Sequence, residues 1–334
     1  MKAPLFFSKI LLFGEYGIIK NSKGLSIPYN FYKGGLKLGD INSNSIKDSN
    51  ESLQLFRDFL RKTDSSIVTF DFKKMDKDLS EGMYFDSTIP QGYGVGSSGA
   101  LVAAFYDRYA ENKFTILENL TRDKILILKN IFSTMESYFH GKSSGLDPLN
   151  SYLSLPILIH SKNKIETTGL PLQSSIGKGA VFLLDSGESS ETAPMVDIFF
   201  KSMKNKNYNK IIREDFIRIT DSCVDDFLSG DFKSLFLDIK KLSQVVLDNF
   251  KPMIPKNFHN LWAKGIESND YFLKLCGSGG GGYILGFSED FEKAKSVLKD
   301  LISGKNVDVE TSGLSKREWN ELMSAFDIKE KIVK

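Results

Sequence analysis

The sequence is poor in the residues that build disulfide and metal frameworks. It has two cysteines, Cys223 and Cys276, and three histidines, His140, His160 and His259, in 334 residues. Neither cysteine belongs to a CxxC pair, and no histidine stands at zinc-finger spacing from one, which excludes a disulfide scaffold and a zinc module. The cysteine usage suits a reducing cytoplasm. An excess of one charge is also lacking: 44 Lys+Arg against 42 Asp+Glu leave +2. That balance argues against a nucleic-acid partner held by a basic field. No run reaches the roughly 18 apolar residues that suggest a membrane span, so no membrane partner is expected. The opening MKAPLFFSKILLFGEYG resembles a signal peptide, but Lys9 interrupts it and Glu15 closes it. It reads as a first strand.

What is present is apolar and patterned. With 41% hydrophobic and 12% aromatic residues, the chain is too apolar to be disordered. Its length predicts two lobes, with a boundary near 165–178, drawn as 1–170 and 171–334. Residues 4–13 read as a strand buried on both faces. Short strands are expected over 25–31 and 33–38, with a turn near Gly34-Gly35. A loop over 39–52, a helix over 53–62 and a strand over 66–72 follow. GMYFDSTIP (82–90) leads into the loop PQGYGVGSSGA (90–100) and a helix over 97–111. Thr121 predicts the cap of a helix running to about Phe139. AVFLLD (180–185) is a strand, followed by a loop over 186–194. Amphipathic helices are expected near 195–204, 209–228, 231–249 and 257–266. YFLKLCGSGGGGYILGF (271–287) reads as strand, glycine loop, strand.

Gly94-x-Gly96-x-x-Gly99 and Gly277-x-Gly279-x-x-Gly282 both match the dinucleotide fingerprint, and two matches in one chain show how permissive it is. The first loop lacks the strand ending in an acid that the fingerprint requires, and it lacks the lysine of a Walker loop. Physically it still offers an anion site. Its glycines allow close approach, and it feeds a helix whose first amides are unpaired, with Ser97 and Ser98 beside them. A tight turn with serine as cap is the plainer alternative. The run of four glycines at 279–282 exceeds what a hairpin needs, so something should lie against that backbone.

Glu136 falls in the last turn of a predicted helix, where a carboxylate opposes the helix dipole and a cation would compensate it. Asp147 precedes Pro148 and could simply cap a helix. Lys9 inside an apolar strand either guards a sheet edge or pairs with a carboxylate or phosphate. His140 shares a helical face with Glu136, though a lone histidine is more often structural than a metal ligand.

Four segments in order resemble the GHMP kinase superfamily. PQGYGVGSSGA resembles its phosphate loop, Pro-x-Gly-x-Gly-Leu-Gly-Ser-Ser-Ala. KLCGSGGGGYILGF (274–287) resembles its third motif, Lys-Leu-Thr-Gly-Ala-Gly-Gly-Gly-Gly-Cys. SKILLFGEYGIIKNSKGLSIP (8–28) resembles Gly-Lys-Val-Ile-Leu-Phe-Gly-Glu-His-Ala-Val-Val. Residues 136–148 resemble the mevalonate kinase segment Glu-x3-His-Gly-x-x-Ser-Gly-x-Asp. The departures are Phe6-Phe7-Ser8 before the lysine, Tyr16 for His, Gly99 for Ala and Cys276 for Thr.

The resemblance implies an α+β fold of two lobes, a mixed-sheet nucleotide lobe followed by a ferredoxin-like α/β lobe. It implies ATP and Mg²⁺, with an alcohol acceptor whose best candidate is the 5-hydroxyl of (R)-mevalonate, in isoprenoid precursor synthesis. Phosphomevalonate kinases and a non-catalytic ligand-binding member are the alternatives. Gly92, Gly94, Val95, Gly96, Ser97, Ser98 and Gly99 would wrap the phosphates, and Ser98 and Glu136 would hold Mg²⁺. Asp147 and Lys9 would be catalytic. Glu15, Tyr16, Ser144, Gly145, Thr192, Gly277, Ser278, Gly279 and Gly280 would face the acceptor. A phosphorylated acceptor would call on Lys20, Lys23 and Lys142. The resemblance leaves room for a homodimer.

Overall fold

The computed structural model describes residues 4–64, 66–114, 120–171 and 178–303. Its first strand, β1 (Phe6–Phe13), forms where apolar residues occupy both alternating faces. It pairs antiparallel with β2 (Gly24–Leu38), a single strand of 15 residues rather than the expected two. Gly34-Gly35 is not a turn. Gly34 pairs with Phe6 of β1 on one edge and with Ser87 of β3 (Met83–Ser87) on the other. A Cβ on Gly34 would stand 2.4 Å from the Phe85 ring, so the glycine makes room across the sheet.

The other end of β2 pairs with β4 (Ile157–Ser161), which pairs with β5 (Lys164–Thr167). All these pairings are antiparallel, so the expected mixed sheet is an antiparallel one.

Two local expectations fail. The polar stretch 39–52 contains the start of helix α1 (Asn44–Leu60), because its polar residues form the outer face while Asn50, Leu53, Phe56 and Leu60 face inward. Residues 66–72 contribute only a bridge, Phe70 with Ala110, before α2 (Phe72–Ser80) begins with Asp71 as its cap. The Asp71 carboxylate accepts from the Lys74 N–H at 2.9 Å and ends the extended stretch there.

Three helices carry the site. In α3 (Ser97–Tyr109), Gly99, Ala100, Ala103 and Ala104 form a small, buried surface. A Cβ on Gly99 would lie 2.8 Å from the Asp147 carbonyl carbon, so this surface admits α5 (Leu146–Leu153) at backbone distance. The third helix, α4 (Arg122–His140), starts as expected at Thr121, whose hydroxyl accepts from the Lys124 N–H at 3.3 Å.

The chain passes to a second sheet between Thr167 and Ala180, and residues 172–177 of the expected boundary lie outside the described residues. This sheet is antiparallel, in the order β6 (Ala180–Asp185), β8 (Tyr283–Ser288), β7 (Phe272–Leu275). The helices fall close to their expected places: α6 (Thr192–Ser202), α7 (Lys206–Ile211), α8 (Ile217–Ser229), α9 (Phe232–Asn249) and α10 (Phe258–Ser268). A final helix, α11, spans Phe291–Ser303. Trp262 of α10 is fully buried, and its indole N–H donates to the Ser243 carbonyl of α9 at 3.1 Å. Among the described residues no helix is long and apolar enough to cross a membrane. The architecture is thus α+β with two lobes, each built on an antiparallel sheet.

Candidate active site

Lys9 sits in β1 with only 3% of its surface exposed, so it is not an edge guard. A buried ammonium needs partners. Its Nζ lies 3.1 Å from Asp147 Oδ2 and donates to the Gly94 carbonyl at 3.3 Å. Its backbone N–H donates to the Val95 carbonyl at 3.0 Å. One lysine therefore joins the first strand, the glycine loop and the start of α5. Burial works against its charge, but the Asp147 carboxylate carries its pKa above the ordinary value.

Asp147 is not a cap. Gly145, at φ +72°, takes that position, and Asp147 is the second residue of α5 with its carboxylate turned to Lys9. Gly145 is needed there because a Cβ would stand 2.1 Å from the Lys129 carbonyl of α4.

Glu136 is 3% exposed near the end of α4. It accepts from Ser98 Oγ at 3.2 Å and from Ser143 Oγ. Ser98 also lies 3.1 Å from His140 Nε2, which gives that histidine a polar contact at the phosphate loop. Burial, then the charge of Asp147, pushes Glu136 up to about 8, while Ser143, Lys9 and Ser98 pull it down. When Glu136 is ionised, two carboxylates face one ammonium and one charge is left uncompensated. A divalent cation beside Ser98 and Glu136 fits this deficit. Among the described residues no group of three or more His, Cys, Asp or Glu could hold a metal. Mg²⁺ takes one or two carboxylates and completes its shell from phosphate oxygens and water, and Ser98 and Glu136 could supply the protein's share.

The two glycine loops touch each other. A Cβ on Gly94 would stand 2.4 Å from the Cys276 carbonyl oxygen, and one on Gly277 would stand 3.0 Å from Gly94 Cα. The run at 279–282 is likewise filled by protein. Side chains there would strike Met253, Ser190, Glu188 and Tyr93. What lies against that backbone is this chain's own backbone and side chains.

These elements wall a cleft of about 1200 Å³. It exceeds the ~300–1,000 Å³ usual for one small ligand and has room for two. Of the expected residues, Lys9, Glu15, Tyr16, Gly92, Gly94, Gly96, Ser97, Ser98, Ser144, Asp147, Thr192, Gly277, Ser278 and Gly279 line it. Val95, Gly99, Gly145 and Gly280 do not line it. They hold the lining residues in place through the contacts above. Glu136 stands behind Ser98. Glu15 is buried, and its carboxylate meets Lys274 Nζ at 2.5 Å.

Three features escaped the sequence reading. Lys274 carried the same signal as Lys9, a lysine within an apolar strand. Ser143 had no signal beyond its place beside Ser144. The apolar lining residues Leu53, Phe85, Ile89, Leu101 and Phe139 come from α1, β3 and the residues after it, α3 and α4, and have no local pattern.

The chain resembles known proteins in this same frame. Residues 57–154 match the family model described as the GHMP kinases N terminal domain. A search of curated protein sequences finds no match. Among solved structures, L. major mevalonate kinase in complex with R-mevalonate is 14% identical with a TM-score of 0.60, covering 91% of this chain and 92% of that one. Streptococcus pneumoniae phosphomevalonate kinase, in complex with phosphomevalonate and AMPPNP, is 13% identical with a TM-score of 0.57, covering 91% and 97%. Lactococcus lactis galactokinase complexed with galactose is 12% identical with a TM-score of 0.56, covering 94% and 91%. Residues 57–154 thus match a GHMP kinases N-terminal domain, and over nine-tenths of its length the chain shares the fold of these solved kinases.

Proposed function

We propose that the protein is an ATP- and Mg²⁺-dependent kinase that transfers the γ-phosphoryl group to an alcohol, with the 5-hydroxyl of (R)-mevalonate as the acceptor. The observation that carries this is the Lys9–Asp147 pair, 3.1 Å apart on the wall of a cleft shared by both glycine loops. Phosphoryl transfer needs positioning and charge compensation more than covalent chemistry. The unpaired amides at the start of α3 receive the phosphates, and Lys9 stabilises charge on the transferring group. Asp147 accepts the proton of the acceptor hydroxyl as the new O–P bond forms. Ser98 and Glu136 would hold Mg²⁺, which neutralises phosphate charge. The apolar lining residues of the cleft suit the nucleotide base.

Charge supports mevalonate over phosphomevalonate. Among the described lining residues Lys9 is the one lysine, with no arginine, and it is already paired. The lysines a phosphorylated acceptor would require are engaged or displaced. Lys23 is held by Asp225 at 2.6 Å, Lys20 lies over the Phe200 ring, and Lys142 is not part of the cleft wall. Two buried free cysteines suit a reducing cytoplasm.

ADP release with mevalonate, phosphomevalonate, galactose and homoserine tests the proposal. Turnover with mevalonate alone is expected. Turnover only with another acceptor removes mevalonate, and binding of ATP without ADP from any acceptor would favour a non-catalytic member.

A further inference from the structure

Lys274 stands in β7 between Leu273 and Leu275, with its side chain 5% exposed. Its ammonium donates to Glu15 Oε1 at 2.5 Å and to the Leu275 carbonyl at 2.7 Å. Glu15 belongs to the turn after β1, so the ion pair ties the first sheet to the second. Tyr16, the next residue, makes a second tie. Its hydroxyl donates to the Ser278 carbonyl at 2.6 Å. Its ring packs on Phe199 and Phe250, at 4.8 and 5.5 Å between centroids. Its backbone is held at φ +58°, an uncommon conformation for an aromatic residue and one that persists only where the surroundings impose it. Leu275 and Ser278 bracket the start of the second glycine loop, where Cys276, Gly277, Ser278 and Gly279 line the cleft.

We propose that the Glu15–Lys274 ion pair, seconded by the Tyr16–Ser278 bond, is a positioning clamp that sets the loop 276–282 against the Lys9–Asp147 pair. Glu15 and Lys274 are positioning residues, and Glu15 acts through Lys274 rather than on the acceptor. The proposal rests on the kinase reading only for the assignment of that loop to the acceptor side.

The test combines kinetics with unfolding. Lys274→Met should raise the acceptor KM about tenfold or more and lower kcat, while fluorescent-nucleotide affinity stays within about twofold. Lys274→Arg should recover most of that loss. Glu15→Gln should mimic Lys274→Met, and the double variant should be no worse than either single one, because the two residues act as a unit. Additive losses, an unchanged acceptor KM or an equal fall in nucleotide affinity would overturn the clamp. If Lys274→Met does not fold, Tyr16→Phe carries the test. It keeps the ring and removes the bond to Ser278, and an acceptor KM unaffected by it overturns the proposal. Urea midpoints of the same set report on the pair without turnover. Their non-additivity should persist even if no acceptor is phosphorylated, an outcome that sinks the kinase reading alone.

Discussion

At the residue scale, Glu136 has the most measurable consequence. Its pKa is pushed to about 8 from an ordinary 4.5. Between those values the folded protein binds a proton that the unfolded chain releases, so stability falls as pH rises through that window. Glu136→Gln keeps the shape without the charge. In the absence of nucleotide and metal it should therefore be more stable than wild type at pH 9, on the order of 2–4 kcal/mol. The advantage should vanish below about pH 4.5, where wild type is protonated in both states. Urea unfolding at pH 4.5, 7 and 9 reads it, and an advantage that does not change with pH would place the effect elsewhere. The same substitution should raise the Mg²⁺ concentration needed for turnover. Asp147→Asn tests the proton's destination instead. It should keep nucleotide affinity and cut kcat about 10²–10⁴-fold, whereas near-normal turnover would remove Asp147 from that role.

At the scale of elements, the two glycine loops pack as one body. Gly94 has φ +76°, and a Cβ there would stand 2.4 Å from the Cys276 carbonyl oxygen. Gly141 has a similar φ of +67° and nothing within 4 Å of the same position. Gly141→Ala should then cost only backbone strain, about 1 kcal/mol, while Gly94→Ala should cost about 2 kcal/mol more and weaken nucleotide binding. Equal urea midpoints for the two variants would mean that the loops do not touch in solution. The pair also marks the limit of legibility. Both loops stood out in the sequence through their glycines, four in 90–100 and five in 277–282. Their mutual contact was invisible, since 183 residues separate Gly94 from Gly277 and only the fold joins them. Lys9 was legible for the opposite reason, as a charge where the pattern demanded an apolar residue. The expected helix over 53–62 starts earlier, at Asn44, because its first turns are almost wholly polar and local pattern cannot tell them from a loop.

At the scale of the molecule, the proposed function makes metal and nucleotide depend on each other. In that reading the protein would bring one buried carboxylate, Glu136, and one hydroxyl, Ser98, to the metal. Mg²⁺ alone should therefore bind weakly, because phosphate oxygens must complete its shell. On the proposed function, a non-hydrolysable ATP analogue with Mg²⁺ would join α3, β1 and α5 through the Lys9 crossroads and bind only the folded state. At 100 times its dissociation constant it should stabilise by about 2.7 kcal/mol, roughly 4 °C in Tm for a chain of this size. Mg²⁺ alone at the same concentration should move Tm by less than about 1 °C. A thermal melt in four conditions (apo, Mg²⁺, analogue, both) reads the comparison directly. If Mg²⁺ alone gives the full shift, the metal site is complete without phosphate, and the assignment of Ser98 and Glu136 as a shell shared with the nucleotide is wrong. If the analogue alone gives it, the ammonium of Lys9 and the helix amides suffice for the phosphates, and the uncompensated charge of Glu136 must be met some other way.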